Sequence, residues 1–407
     1  MSLKLRKFQM GNQKILTANY IFIFFIGSAL ISFLFSLTGF YNGDFLGEER
    51  TLGVLVLIVL LMIYLLPYIV IWNVYKRFKY NERRRKFSIS VRFMYLLLII
   101  YFIYTLIIIM AFGVGKAEAE IYSASGIVKF VIQITNRFSF GYFSLFVLFI
   151  SRNKYYDIGI ILMTIAIGLL NASIGSFLFV GLTYTVKYNN VITKNLKAKL
   201  FYIAIFASFI PSIVSQMYSY RSVLRNSDYS EIYGAQLIFG KFVGRVSSFS
   251  NFAVMVQELP FFIVGSQTVD ELYFQKQALK ALIGVGEDPR ESRPEFLMKA
   301  TFNQSGSLDP NSAFMISSPG NLLFSFLKSP FILFINFLNY FIYIYVIFFL
   351  AKLINVHNGF EFAFLLIVYP ITSGVSNEFV IVITSLISIL ILKLLSQIFI
   401  SHNTNIT

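Results

Sequence analysis

The sequence predicts an all-α polytopic membrane protein with about ten transmembrane helices and one large extracytoplasmic loop. Three observations predict it. Of 407 residues, 57% are hydrophobic and 13% charged, where a soluble domain carries about 45–50% and about 25%. The mean hydropathy of +0.73 excludes a water-soluble globule, a disordered chain and a nucleic-acid-binding domain. Apolar stretches long enough to cross about 30 Å of hydrocarbon recur along the whole chain. The absence of cysteine removes disulfides, thiol catalysis and cysteine-based metal sites from consideration.

The spans follow in order. Residues 18–40, 52–74, 93–114 and 126–150 give the first four. The apolar stretch 157–187 is too long for one crossing, and "NASIGSF" (171–177) divides it into two helices around a small-residue turn. Residues 200–218 give span seven, and 326–354, 360–373 and 378–400 the last three. The amino-terminal stretch does not read as a cleavable signal, because spans follow it and no small-residue cleavage site is evident. The chain therefore divides into 1–218 with seven spans, a loop at 219–328, and 329–407 with three spans.

Alternating the spans sorts the loops into two sets, and Lys and Arg fall mainly into one. That set holds Lys4, Arg6, Lys7 and Lys14, then eight basic residues in "KRFKYNERRRKFSISVR". It continues with Arg152, Lys154, Lys187, Lys194, Lys197, Lys199 and Lys352, and Glu82 is its one clear acid. The opposite short loops carry Asp44, Glu48, Glu49, Glu118 and Glu120. Positive charge marks the cytoplasmic side, so both termini are expected there. The basic face serves orientation and contact with anionic membrane lipid rather than nucleic acid.

The loop 219–328 falls on the outer face and holds ten basic and ten acidic residues, an ordinary charge density. Loops of this length are usually functional. "YSEIYGAQLIFGKFVGRVSSFSNFAVMVQELPFF" has helical apolar spacing interrupted by Gly240 and Gly244. "DELYFQKQALKALIG" reads as an amphipathic helix between Asp270 and Gly284. "FNQSGSLDPNSAFMISSPGNLL" is a polar lead into span eight. No cytoplasmic domain is expected, and "GVGK" (113–116) and "GVGEDPR" (284–290) lack the flanks of a phosphate-binding loop. An enzyme working on the outer face without nucleotides needs a pre-activated donor, and in a membrane that donor is a lipid-linked phosphate or pyrophosphate.

The candidate residues follow from that chemistry. Arg137 lies inside span four, where a guanidinium costs at least about 2.5–3.5 kcal/mol. It faces a cavity, an acid or a bound anion, or else snorkels to the interface. Arg221 and Arg225 stand four residues apart after span seven, and Arg245 stands four after Lys241. Guanidinium forks match phosphate oxygens and keep their charge, so Arg137, Arg221, Arg225 and Arg245 are the candidate pyrophosphate-binding residues. His357 and His402 fall on the cytoplasmic side, which leaves carboxylates as general bases. Asp228 and Glu231, nearest the arginine pair, rank first as catalytic candidates, with Glu258, Asp270 and Asp309 behind them. Salt bridges to Arg221 or Arg225 are the competing role for that pair. No His/Asp/Glu cluster has metal-ligand spacing, so no metal and no cofactor are expected.

The layout of ten or more spans, cytoplasmic termini, one late outer loop and outer-face arginines resembles the O-antigen and capsular polysaccharide polymerases (the Wzy family). "IAIGLLNASIGSFLFVGL" resembles that family's tight helix pair, whose turn often holds an arginine where Ile174 stands here. "GKFVGRVSSFSN" resembles a loop segment of some members and points to Arg245. The resemblance implies a fold related to the membrane-embedded C-type glycosyltransferases and a place in the bacterial inner (cytoplasmic) membrane. It implies transfer of a growing glycan from undecaprenyl pyrophosphate onto the free end of a lipid-linked repeat unit. The implied partners are that lipid-linked glycan, a chain-length regulator and a flippase. A flippase, another lipid-phosphate-dependent glycosyltransferase or a ligase are the alternatives; the flippase would need a central polar pathway and inverted repeats.

Overall fold

A computed structural model describes residues 2–80, 90–112, 138–171, 174–188, 216, 240, 243–283, 294, 297–298, 315–356 and 358–404. These residues form helices almost throughout. Among them the sole β feature is an isolated bridge between Phe40 and Glu49. The helices are α1 (Ser2–Ser36), α2 (Val54–Tyr80), α3 (Val91–Phe112), α4 (Phe140–Ile150), α5 (Lys154–Leu170) and α6 (Ile174–Lys187). They continue with α7 (Phe249–Gln257), α8 (Leu259–Ser266), α9 (Tyr273–Ile283), α10 (Ser317–Lys328), α11 (Pro330–Ile354), α12 (Gly359–Ser373) and α13 (Ser376–Thr404).

Among the described residues, four stretches are long and apolar enough to cross a bilayer: Val54–Tyr80, Val91–Ala111, Pro330–Ile354 and Asn377–Leu395. The pair α7 and α8, bent by 86°, makes a fifth if it counts as one broken span. Each long helix splits into two faces. On α2, Leu57, Leu60, Tyr64, Tyr68, Ile71 and Tyr75 are buried at three- and four-residue intervals, while Leu55, Val59, Met62 and Leu66 face outward. A helix that is apolar on both its core side and its outer side needs hydrocarbon as its surroundings. The protein is therefore an α-helical membrane protein.

Several span boundaries differ from the expectation. The break after Leu170 confirms the divided stretch, with α6 restarting at Ile174. Span eight, expected over 326–354, begins at Pro330, because Ser329 is extended (φ −167, ψ 139) and its hydroxyl caps the Phe331 amide at 3.2 Å. Proline lacks the amide hydrogen and disfavours a helical residue before it, so α10 must end at Lys328. Span nine corresponds to α12, whose 15 residues reach only about 22 Å, short of the hydrocarbon thickness. It is buried nearly throughout and forms the centre of the bundle, touching α2, α10, α11 and α13. Residues 126–137 of span four and all of span seven except Gln216 lie outside the described residues.

The loop read as an outer cap is partly inside the bundle. Phe249, Phe252, Ala253, Met255 and Phe262 on α7 and α8 are buried, as are Ser317, Ser318, Asn321 and Phe324 on α10. The polar α10 start is paid for in hydrogen bonds: Ser318 Oγ donates to the Ile371 carbonyl at 3.0 Å, and Asn321 Nδ2 to the Gly374 carbonyl at 2.6 Å. Gly374 sits at φ +71, where a Cβ would lie 2.3 Å from the Ser317 carbonyl oxygen, so only glycine admits this approach of α12 to α10.

Contacts between helix ends define two ends of the bundle. At one, Lys79 Nζ pairs with Glu361 at 2.8 Å, and Tyr75 donates to the same carboxylate at 3.2 Å. Lys187 Nζ pairs with Asp157 at 2.6 Å and donates to the Leu148 carbonyl at 2.7 Å. Lys393 donates to the Leu353 and Ile354 carbonyls at 3.1 and 3.0 Å. Arg77, Arg152, Lys154 and Lys352 belong to the same helix ends. The other end carries residues 37–53, the start of α7 and the approach to α10, with Asp44, Glu48, Glu49 and Glu258.

Candidate functional site

The acid-rich end is built on the connection between α1 and α2. Residues 39–50 close on themselves, with Tyr41 N donating to the Glu48 carbonyl at 2.9 Å and Arg50 N to the Gly39 carbonyl at 2.8 Å. The turn Gly43–Phe45 then presses on residue 244. A Cβ on Gly244 would stand 2.3 Å from Gly43 N and 2.4 Å from its Cα. Two glycines thus bring main chains some 200 positions apart into direct contact.

That contact delivers Arg245 to Asp44. Arg245 Nε donates to Asp44 Oδ1 at 2.7 Å, and an Nη of Arg245 lies at the same distance. The Asp44 side chain is nearly buried, at 6% exposure, while Arg245 keeps 30% and reaches the surface. Asn251 Nδ2 donates to the second Asp44 oxygen at 3.1 Å and to the Met315 carbonyl at 2.7 Å. Behind them, Asn42 Nδ2 donates to Ser32 Oγ at 3.0 Å, Ser32 and Ser247 share a hydrogen bond of 2.7 Å, and Ser250 donates to Asn42 Oδ1. A buried polar seam therefore ties α1, the 37–53 connection, α7 and the approach to α10 together. Ser248, which opens α7, is left-handed at φ 53 and ψ 16, a conformation that costs a non-glycine residue about 1–3 kcal/mol.

A second cluster lies beside it. Gln257 Oε1 accepts from Tyr41 at 2.8 Å and from the Thr51 amide at 3.0 Å, clasping the α1–α2 connection to the end of α7. Burial pushes the Tyr41 phenol well above its ordinary value. Burial, with the Glu258 charge behind it, also pushes the Glu48 carboxyl up. Arg50 donates to the Leu52 carbonyl, and its buried Nε has no partner among the described residues. Farther along, burial of Asp270 opposes its ionisation, yet hydrogen bonds from Lys276 and the Leu272 amide outweigh it and hold the carboxyl below the usual range.

Of the candidates drawn from sequence, the structure places Arg245 at this site. Arg137, Arg221, Arg225, Asp228 and Glu231 lie outside the described residues. Glu258 borders the site through a 3.4 Å contact with Gln257 Nε2, and Asp270 is engaged with Lys276 away from it. Sequence reasoning missed Asp44, Asn251 and Arg50. The acid in "NGDF" was visible as an outer-loop carboxylate, but its guanidinium partner is 201 positions away and no local spacing announces it. Arg50 was hidden among the acids of "LGEER".

In chemical terms the end offers a surface-reaching guanidinium, a carboxylate held ready beside it, and buried amide and hydroxyl groups. That set can neutralise an oxyanion and orient a hydroxyl. No family model, no curated protein and no solved structure matches the chain.

Proposed function

We propose that the chain is a polymerase that joins undecaprenyl-pyrophosphate-linked oligosaccharide repeat units into O-antigen or capsular polysaccharide on the outer face of the bacterial inner membrane. The observation that carries this reading is the Arg245–Asp44 pair at the bundle end opposite the lysine- and arginine-rich helix ends. Basic residues mark the cytoplasmic side, so this reading sets both termini in the cytoplasm and Arg245 outside. The reading includes about ten spans, a C-type glycosyltransferase fold, and a chain-length regulator and flippase as partners.

In this reaction the anomeric carbon of the growing glycan loses its bond to the pyrophosphate oxygen and gains one to an acceptor hydroxyl oxygen. The electron pair leaves with undecaprenyl pyrophosphate, and the hydroxyl proton passes to a base. Arg245, with Arg137, Arg221 and Arg225, meets the charge that builds on the leaving pyrophosphate. Arg50, on the same α1–α2 connection as Asp44, adds a further guanidinium. Asp228 or Glu231 takes the proton, and Asp44 aims Arg245 rather than reacting.

The test is reconstitution of the purified chain in vesicles with lipid-linked single repeat units extracted from a strain lacking it. Wild-type protein yields a ladder of longer glycans, and Arg245→Ala lowers the rate by about a hundredfold, the scale of losing one oxyanion-stabilising donor. Absence of any ladder from wild-type protein would refute the proposed activity.

A further inference from the structure

Helix α8 belongs by sequence to the loop 219–328, but its surface is that of a membrane element. It reads "LPFFIVGS" and holds no charged residue. Phe262 and Ser266 are buried, with the Phe262 ring edge-on to Phe324 of α10 at 5.3 Å between centroids. The opposite face carries Phe261, Ile263 and Val264, exposed by 65%, 46% and 75%. Large apolar side chains left this bare side by side mark an interaction surface.

The neighbouring helices fix the level of that face. Phe249, which opens α7, lies edge-on to Tyr64 of α2 with centroids 5.7 Å apart. Gln257, which closes α7, accepts from the Thr51 amide at 3.0 Å, just before α2 begins at Val54. Over its nine residues, about 13 Å, α7 therefore climbs beside α2 to the acid-rich end of that long apolar helix. There the chain bends by 86°, so α8 runs across the direction of α2. Past the other end of α8, Lys328 donates to the Gln267 carbonyl at 3.2 Å and to the Val269 carbonyl, two residues before α11 begins at Pro330. The starts of two helices long enough to span a bilayer thus bracket α8, at the level where hydrocarbon gives way to headgroups. Glu258 precedes it and Asp270 and Glu271 follow it, so charge flanks an apolar segment. A second copy of the chain is a poorer occupant, because three partly exposed side chains fall well short of the about 800 Å² per partner of a stable interface. We propose that α8 is an interfacial helix whose Phe261, Ile263 and Val264 dock into the acyl chains of the adjoining leaflet, just beneath the headgroups. It anchors the far end of α7, whose first turn carries the Asn251 that holds Asp44. The bilayer surface in this way sets the height of the Arg245–Asp44 pair. This surface does not depend on the glycosyl-transfer reading.

The test places an indole on the face and asks what touches it. Phe261→Trp and Val264→Trp are each made in the full-length chain and reconstituted into phosphatidylcholine vesicles. Both positions are exposed, so the new ring displaces no core packing. The chain has a single tryptophan, Trp72, and wild-type protein supplies its emission as the background to subtract. The vesicles are plain, or carry bromine on the acyl chains either close below the headgroups or near the chain ends, and bromine quenches an indole that meets it. Both added indoles are expected to emit to the blue of an indole in water and to lose most of that emission to the shallow bromines. Equal emission in brominated and plain vesicles would overturn the proposal and put the face in water or against protein. Stronger quenching by the deep bromines would overturn it too, making α7 and α8 one broken span.

Discussion

At the scale of single residues, the site depends on a contact that tolerates no side chain. Gly244 meets Gly43 backbone to backbone, and a methyl group there would overlap atoms that cannot swing aside. Gly244→Ala is expected to cost at least about 1–3 kcal/mol and to release the α1–α2 connection, seen as faster proteolysis within 37–53 and a lower unfolding temperature in detergent. Gly47→Ala, at φ +91 with open space around it, carries only a backbone penalty and serves as the control. "GKFVGRVSSFSN" was legible as a segment of interest, and Gly244 as an interruption of its helical spacing. What the glycine accommodates was not legible, because the partner turn is fixed by tertiary packing. The same holds for Ser248, since a serine in a serine-rich run gives no local sign of a left-handed backbone.

At the scale of elements, apolar periodicity located α3, α5, α6, α11 and α13 to within about four residues, because each presents a long unbroken run, whereas α2 runs six residues past the end expected for span two. The failures have physical causes. Reading residues 326–354 as one span overlooked the stop that Ser329–Pro330 imposes. Reading 360–373 as an ordinary crossing missed that α12 is a short, wholly buried rod. Its depth is fixed by Glu361, whose fully buried carboxylate binds Lys79 of α2. Lysines on that face were counted as orientation signals, yet Lys79 and Lys187 are each consumed by a buried acid. Lys79→Met leaves Glu361 uncompensated and is expected to destabilise the protein by about 3–5 kcal/mol. The double variant Lys79→Met/Glu361→Leu removes both charges and recovers most of the loss, a coupling read by thermal unfolding of the four proteins in one detergent.

For the whole molecule, composition alone announced a helical membrane protein, since no soluble fold can hide so much apolar surface. The division into a basic end and an acid-rich end was also legible, because it follows from counting charges between spans. The loop 219–328 was harder. Its charge density is that of a soluble segment, but burial of Phe249, Phe262 and Phe324 draws α7, α8 and α10 into the bundle. The polar seam from Ser32 through Asn42 and Ser250, with Asn251 and Asp44 beside it, joins residues from both halves of the chain. No sequence window contains it. Glycosyl transfer from a lipid pyrophosphate is coherent only if this seam and Arg245 face away from the cytoplasm.

Since the chain has no cysteine, that orientation is open to one clean measurement. Single cysteines are placed at Glu49, exposed beside the Arg245–Asp44 pair, and at Lys154, exposed at the basic end. Intact cells are then treated with a membrane-impermeant maleimide, with an opened-membrane sample as reference. The account predicts labelling of the Glu49→Cys chain in intact cells and of Lys154→Cys only after the membrane is opened. The opposite pattern would put Arg245 in the cytosol and contradict the account at its foundation.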